Sequence, residues 1–180
     1  MKKVFLLVII LFTCGGCHRR PLPPMKFEWS EVVNVPGVSK DKLYQRALEW
    51  YNENFNNMKA VIQSQDKETG TFYAKGYLEY HGRVKGTHDI YFTIDISVKE
   101  GKYKYTFNNF KDEAVVSISH HKDTKLSLGL LDNGLPQKPH PGVKKKYWML
   151  IRNDIHEIGA PLLVIKLKEK MLKKSLPESY

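Results

Sequence analysis

Cys14-Gly15-Gly16-Cys17 sets two thiols at the spacing of a redox dithiol, and His18 extends the stretch to the spacing of a covalent haem attachment site. Either chemistry needs both cysteines together in the mature, folded chain. The same residues also form a cleavage point at which Cys17 becomes the first residue and takes a lipid on its sulfur. The preceding residues favour the last reading. Met1-Lys2-Lys3 is a basic start, and VFLLVIILFT, residues 4–13, is apolar apart from one threonine and ends at small residues, which is the layout of a secretion signal. That run is shorter than the roughly 20 residues that span a bilayer. Cleavage beside Gly16 would part the two cysteines. The expectation is therefore a signal peptide over residues 1–16 and a lipidated Cys17, carrying a palmitate-type acyl group, with an ordinary secretion signal as the alternative.

Cys14 stands where lipoboxes commonly carry a leucine. His18-Arg19-Arg20 lacks the aspartate that commonly retains Gram-negative lipoproteins at the inner membrane, so the expected location is the cell envelope, at the outer membrane. No cysteine follows residue 17, so the rest of the chain has no disulfide and no cysteine-based metal cage. Residues 17–26, CHRRPLPPMK, hold three prolines and read as a short extended tether. The folded unit is expected over residues 27–176 as a single domain.

Removing residues 1–16 leaves 164 residues (180 − 16), enough for one sizeable core, and a net charge near +8 (27 − 19). That charge favours anionic partners such as lipid headgroups, acidic glycans or nucleic acid.

The elements follow from periodicity and turn residues. Phe27, Trp29, Val33 and Val35 alternate as a strand that Pro36-Gly37 stops, with Glu31 on its apolar side, the mark of a bulge or an edge. Ser39 is a good N-cap and Asp41 lies in the first turn, ahead of a stripe of Leu43, Tyr44, Ala47, Leu48, Trp50, Tyr51 and Phe55. Pro36-Gly37 to Ser39 has one glycine and no lysine at P-loop spacing, so it reads as helix initiation. Asp66 to Gly70, His81 to Gly86 and Glu100-Gly101 then turn four strands back on one another.

The two-residue turn at 100 and 101 places Val98 opposite Tyr103, Ile96 opposite Tyr105 and Ile94 opposite Phe107. One face of the sheet then carries Phe72, Ala74, Leu78, Ile90, Phe92, Ile94, Ile96, Val98, Tyr103, Tyr105 and Phe107 and needs a cover. The other carries Tyr73, Lys75, Tyr77, Glu79, Tyr91, Thr93, Asp95, Ser97, Lys102 and Lys104 and suits water. AVVSIS, residues 114–119, reads as a short additional strand, followed by a long loop through GLPQKPHPGVKKK. Trp148, Ile151, Ile155 and Ile158 have helical spacing, Gly159-Ala160-Pro161 should kink the helix, and Leu163, Leu167 and Met171 resume it with Lys166, Lys170, Lys173 and Lys174 opposite.

VPGVSKDKLYQRALEWYNENF, VIQSQDKETGTFYAKG and GKYKYTFNNF resemble successive motifs of a family of bacterial lipoproteins carrying a domain of unknown function with a TATA-binding-protein-like fold. The resemblance covers residues 27–110 and, more loosely, the last helix. It implies an α+β fold of order β-α-β-β-β-β-α, one antiparallel sheet with two helices packed on one face. It implies no activity, because the family has no assigned catalytic or binding residues.

Three groups of side chains remain as candidates. On the open face Tyr77 should lie across from Tyr91 with Tyr73, Lys75 and Lys104 nearby, a set of rings and cations able to stack on sugars or hold a peptide. His81 and His88 flank one hairpin turn and His120-His121 stands near Asp123, but a third ligand at motif spacing is missing, so no metal and no cofactor is assigned. The lysine-rich last helix suits either an anionic bilayer or its own domain. Nucleic acid is disfavoured, since a minor-groove saddle uses two such units and this face bears Glu79 and Asp95. The leading expectation is a lipid-anchored, non-enzymatic binding or structural module of the envelope, with a membrane contact through its lipid and a glycan, peptide or protein partner. The alternative is an envelope hydrolase or ligand-processing enzyme whose site gathers residues distant in sequence.

Overall fold

The computed structural model describes residues 25–55, 61–82, 87–119, 122–133 and 145–173. The signal segment, Cys14, Cys17, the tether up to residue 24, His120-His121, the loop over 134–144 and Lys174 lie outside the described residues. Strand β1 (Trp29–Asn34) leads to helix α1 (Lys40–Asn54), then to β2 (Val61–Asp66), β3 (Thr71–Tyr80), β4 (Thr87–Lys99), β5 (Lys102–Ser119) and β6 (Lys122–Leu130). A last helix follows as α2 (Lys145–Asp154), a π turn (Ile155–Gly159) and α3 (Ala160–Leu172).

All six strands form one antiparallel sheet in the order β1-β5-β4-β3-β2. The outer edge of β5 is shared, pairing with β1 along Lys102–Phe107 and with β6 along Lys111–Ser119. The seam between them is a bulge at Asn108 and Asn109, where Asn109 takes a positive φ of 56° and the Asn108 side chain accepts from the Thr93 hydroxyl. Residues 114–119 are therefore the end of β5 and not a separate strand. β6 occupies part of what the sequence reading assigned to the long loop.

The turn-derived register holds: Val98 pairs with Tyr103, Ile96 with Tyr105 and Ile94 with Phe107. Alternation then sends Phe72, Ala74, Ile90, Phe92, Ile94, Ile96, Val98, Tyr103, Tyr105 and Phe107 into the core, with Leu78 partly buried beside them. The β2–β3 turn is closed by the Asp66 carboxylate, which accepts from the backbone of Glu68 and Thr69. Gly70 has φ +72°, and a Cβ there would stand 2.6 Å from the Val98 carbonyl oxygen, so the turn requires glycine.

Both helices cover the apolar face. Ser39 caps α1 by accepting from the Lys42 N–H at 3.3 Å, and Leu43, Tyr44, Ala47, Trp50 and Tyr51 face the sheet. Arg46 is buried among them because its guanidinium donates to the Met171 carbonyl at 2.7 Å, at the C-terminal end of α3. Arg152 does the same for the chain after β6, donating to the Leu131 carbonyl at 2.6 Å.

The interruption expected at Gly159-Ala160-Pro161 is a π turn within a continuous helix. Pro161 has no N–H to give, and the Ala160 N–H reaches five residues back to the Ile155 carbonyl. The extra residue shifts the phase of the buried stripe from Ile155 to Ala160, then to Leu163, Val164, Leu167 and Met171. Ile158, read from the sequence as part of the buried stripe, is therefore 64% exposed.

Glu31 sits on the apolar face of edge strand β1. The Lys168 ammonium at 2.5 Å and the Tyr105 hydroxyl at 2.9 Å both donate to its carboxylate and hold it below the usual carboxylate pKa, Lys168 having the larger effect.

Candidate functional site

The sheet face opposite the helices carries the strongest candidate. Tyr77 on β3 pairs directly with Tyr91 on β4, and the two rings are stacked with centroids 5.7 Å apart and planes 29° from parallel. The next row towards the β3–β4 turn brings three carboxylates side by side across β3, β4 and β5, since Asp89 opposes both Glu79 and Glu113. Each has a donor: Tyr77 Oη to Glu79 at 3.4 Å, Lys125 Nζ to Asp89 at 3.2 Å and Lys111 Nζ to Glu113 at 2.9 Å.

Lys125 comes from β6 and is the residue the sequence reading missed. Its ammonium donates to the Tyr91 hydroxyl at 3.2 Å and lies 5.7 Å from the ring centroid, and it bridges that ring to the buried Asp89 carboxylate. Hydrogen bonding to Tyr91 first and to Asp89 second keeps the ammonium above its ordinary pKa. Lys111 also belongs to the row, opposing Tyr91 from β5.

The residues expected around the pair are spread along the strands. Lys75, opposite Thr93, is the next same-face position after Tyr77, but Tyr73 opposes Asp95 a further step away. Lys104 opposes Ser97, six residues from Tyr91, which at ~3.3 Å per residue is about 20 Å away. The two sequence-assigned cations are thus one near and one remote. Lys125 and Lys111 stand where Lys104 was expected.

His81 and His88 flank the same turn yet face opposite sides of the sheet. His81 is exposed and 3.2 Å from Glu79, whereas His88 lies in the core with its Nδ1 2.9 Å from Asp112 Oδ1. Burial pushes the Asp112 carboxyl up and the His88 contact opposes that shift. His88 is 4% exposed and Asp112 is fully buried, so this base-and-carboxylate pair is closed to any substrate. Tyr80, directly opposite His88, continues the buried polar strip by donating to Asp154 at 2.6 Å. Among the described residues no three His, Cys, Asp or Glu side chains are grouped to hold a metal ion.

A cleft of about 450 Å³ lies between the end of β3 and the helical layer. Leu78, Ile155, Ile158 and Leu162 wall it, and Glu79, His81, Asp154 and Lys166 stand at its rim. Among the described residues no helix is long and apolar enough to cross a membrane.

The architecture has solved counterparts. A DUF4468 family protein from Bacteroides ovatus ATCC 8483 superposes with a TM-score of 0.57 at 13% identity, over 86% of this chain and 90% of that one. A TBP-like protein from Parabacteroides distasonis ATCC 8503 gives 0.54 at 12% identity, over 79% and 93%. No curated protein sequence matches the chain. The six-stranded sheet with its helical cover is thus a TBP-like fold, and residues 29–112 of it match the DUF4468 domain, a domain of unknown function with that fold.

Proposed function

We propose that this protein is a lipid-anchored component of the cell envelope that works as a non-enzymatic binding module through its open sheet face. The observation that carries the reading is the stacked Tyr77–Tyr91 pair on rigid neighbouring strands, bordered by Lys125 and by the carboxylates of Glu79 and Asp89. Stacked rings supply an apolar surface of fixed orientation, and the adjacent charges supply donors and acceptors for hydroxyl or amide groups. An envelope glycan, peptide or protein has that chemistry. A hydrolase would need convergent polar groups that substrate can reach; His88 and Asp112 are sealed, and the cleft beside α3 is mainly apolar-walled. In this reading Cys17 carries the lipid and the outer membrane is its location.

Crosslinking in intact cells tests the binding face. A photoreactive residue at Tyr77 is expected to give a specific adduct whose mass identifies the partner class, while the same residue at Gln45, exposed on α1, gives none. Equal, diffuse labelling at both positions would make the face an ordinary solvated surface.

The anchor is tested separately. Cys17→Ser is expected to abolish incorporation of a labelled fatty acid and release the protein from membranes, and Cys14→Ser to leave both unchanged. Equal labelling of wild type and the Cys17 variant would overturn the anchor.

A further inference from the structure

Helix α3 is apolar on two sides. Leu163, Leu167 and Met171 are buried against the domain, while Leu162, Ile165 and Leu172 are 48%, 52% and 51% exposed. At about 100° per residue these three fall within an arc of about 80° opposite the buried stripe of α3, with Leu162 at the edge that also walls the cleft beside β3. Ile158 extends the stripe by one turn, because the π turn rotated it out of the core. Lys166 and Lys173 border one side of the arc, and neither has an ion pair among the described residues; Lys168, on the other side, is held by Glu31. Glu169 falls within the arc, three residues after Lys166 and four before Lys173, and Glu157 is exposed beside Ile158. An apolar ridge bordered by lysines is the surface expected of a helix lying at a lipid interface, with the hydrocarbon embedded and the ammonium groups at the phosphates.

The chain enters the domain at the same helical layer. Phe27 packs its ring 5.4 Å from the His156 ring of the π turn, on the inner side of the last helix. Cys17 and Met25 are eight residue steps apart (25 − 17), a reach of about 25 Å at ~3.1 Å per step. A lipid on Cys17 would therefore keep this layer within contact distance of the bilayer.

We propose that the outer stripe of α3, Ile158, Leu162, Ile165 and Leu172 with Lys166 and Lys173, rests on an anionic phospholipid surface and so turns the tyrosine-bearing sheet face away from the membrane. The proposal rests on the lipid anchor at Cys17. Contact with one side of the domain converts a tethered, tumbling module into an oriented one, with Tyr77 and Tyr91 presented outward.

The test uses the full lipidated protein on vesicles of phosphatidylglycerol and phosphatidylcholine that carry a quencher on the acyl chains. An environment-sensitive fluorophore at Leu162 is expected to shift to shorter wavelength and lose most of its emission, and the same fluorophore at Asp95, exposed on the open face, to do neither. Ile165→Glu combined with Leu172→Glu should abolish the loss at position 162, and a return to pure phosphatidylcholine should weaken it. Protein that sediments with the vesicles yet shows no quenching at position 162 would overturn the orientation and leave the anchor standing. Failure to sediment at all would overturn the anchor, and the orientation with it. A wavelength shift at position 162 that depends on protein concentration without vesicles would overturn the proposal in favour of a second copy covering the stripe.

Discussion

His88→Leu is expected to lower the unfolding free energy by about 3–5 kcal/mol at neutral pH, the usual cost of leaving a buried carboxyl without its partner. The larger part of that cost comes from Asp112, which is fully buried and would keep a carboxylate without its imidazole partner. The sign of the pH dependence follows from burial. Burial holds the folded-state pKa of Asp112 above its unfolded value near 3.8, so the folded protein takes up the proton first. Below the unfolded value the carboxyl is neutral in both states and costs nothing extra. As pH rises through the raised folded-state value, the charge appears in the core and stability is lost. In the wild type the His88 contact opposes that loss, and in the variant nothing does. The difference between variant and wild type should therefore be largest at neutral pH and shrink towards about pH 3. A difference that stays constant across this range would mean that the imidazole contributes only volume. Replacing both residues by leucine should recover much of the loss, since no buried carboxyl is then left without a partner.

Trp50→Ala and Phe107→Ala are expected to cost about 3–5 kcal/mol each, and Ile94→Ala about 2–5 kcal/mol, through the cavities they leave. Trp50 and Phe107 are both almost fully buried and meet edge to face with centroids 5.9 Å apart, one from α1 and one from the sheet, so each truncation opens the seam between the layers. Trp50→Phe should cost much less than Trp50→Ala, because phenylalanine keeps most of the buried ring area, while the indole N–H that it removes has no hydrogen-bond partner among the described residues. Tyr77→Ala should cost about 1 kcal/mol, the value of one stacked aromatic pair. Denaturant midpoints with unchanged slopes would establish the order. A Tyr77→Ala variant as damaged as Ile94→Ala would show that the tyrosine face is itself covered.

The strand register and sheet faces were legible because turns and alternation are local: Glu100-Gly101 alone aligns β4 with β5, and the period of two does the rest. β6 was missed although Leu126, Leu128 and Leu130 alternate with Lys125, Ser127 and Gly129; the long run of turn formers beyond it dominated the reading. The charged Lys111-Asp112-Glu113 between the apolar runs hid the length of β5, which passes the Asn108-Asn109 bulge and continues to Ser119. The Tyr77–Tyr91 opposition could be derived, but the cation that completes it could not, because Lys125 reaches the ring only through the unread strand. His88 and Asp112 lie 24 residues apart with no motif spacing, and Arg46 and Arg152 are buried for the sake of distant carbonyls, so nothing within a short window of sequence marks any of the four.

Strand β1 is the one element of the sheet that cannot assemble with its neighbour in the chain. β2 to β6 close one hairpin after another, while Trp29 must wait for Phe107, 78 residues later (107 − 29). In synthesis from the N-terminus, the meander can therefore form first, and β1 is left as an unpaired strand with a free partner-seeking edge. Its six residues are short for a strand-exchange template, and Glu31 points its charge to the side that any sheet-like partner would need dry. The exposed Glu31 carboxylate finds the Tyr105 hydroxyl and the Lys168 ammonium, from β5 and the last helix, only in the assembled domain, so the docking of β1 is completed by contacts from the two elements made after the meander begins.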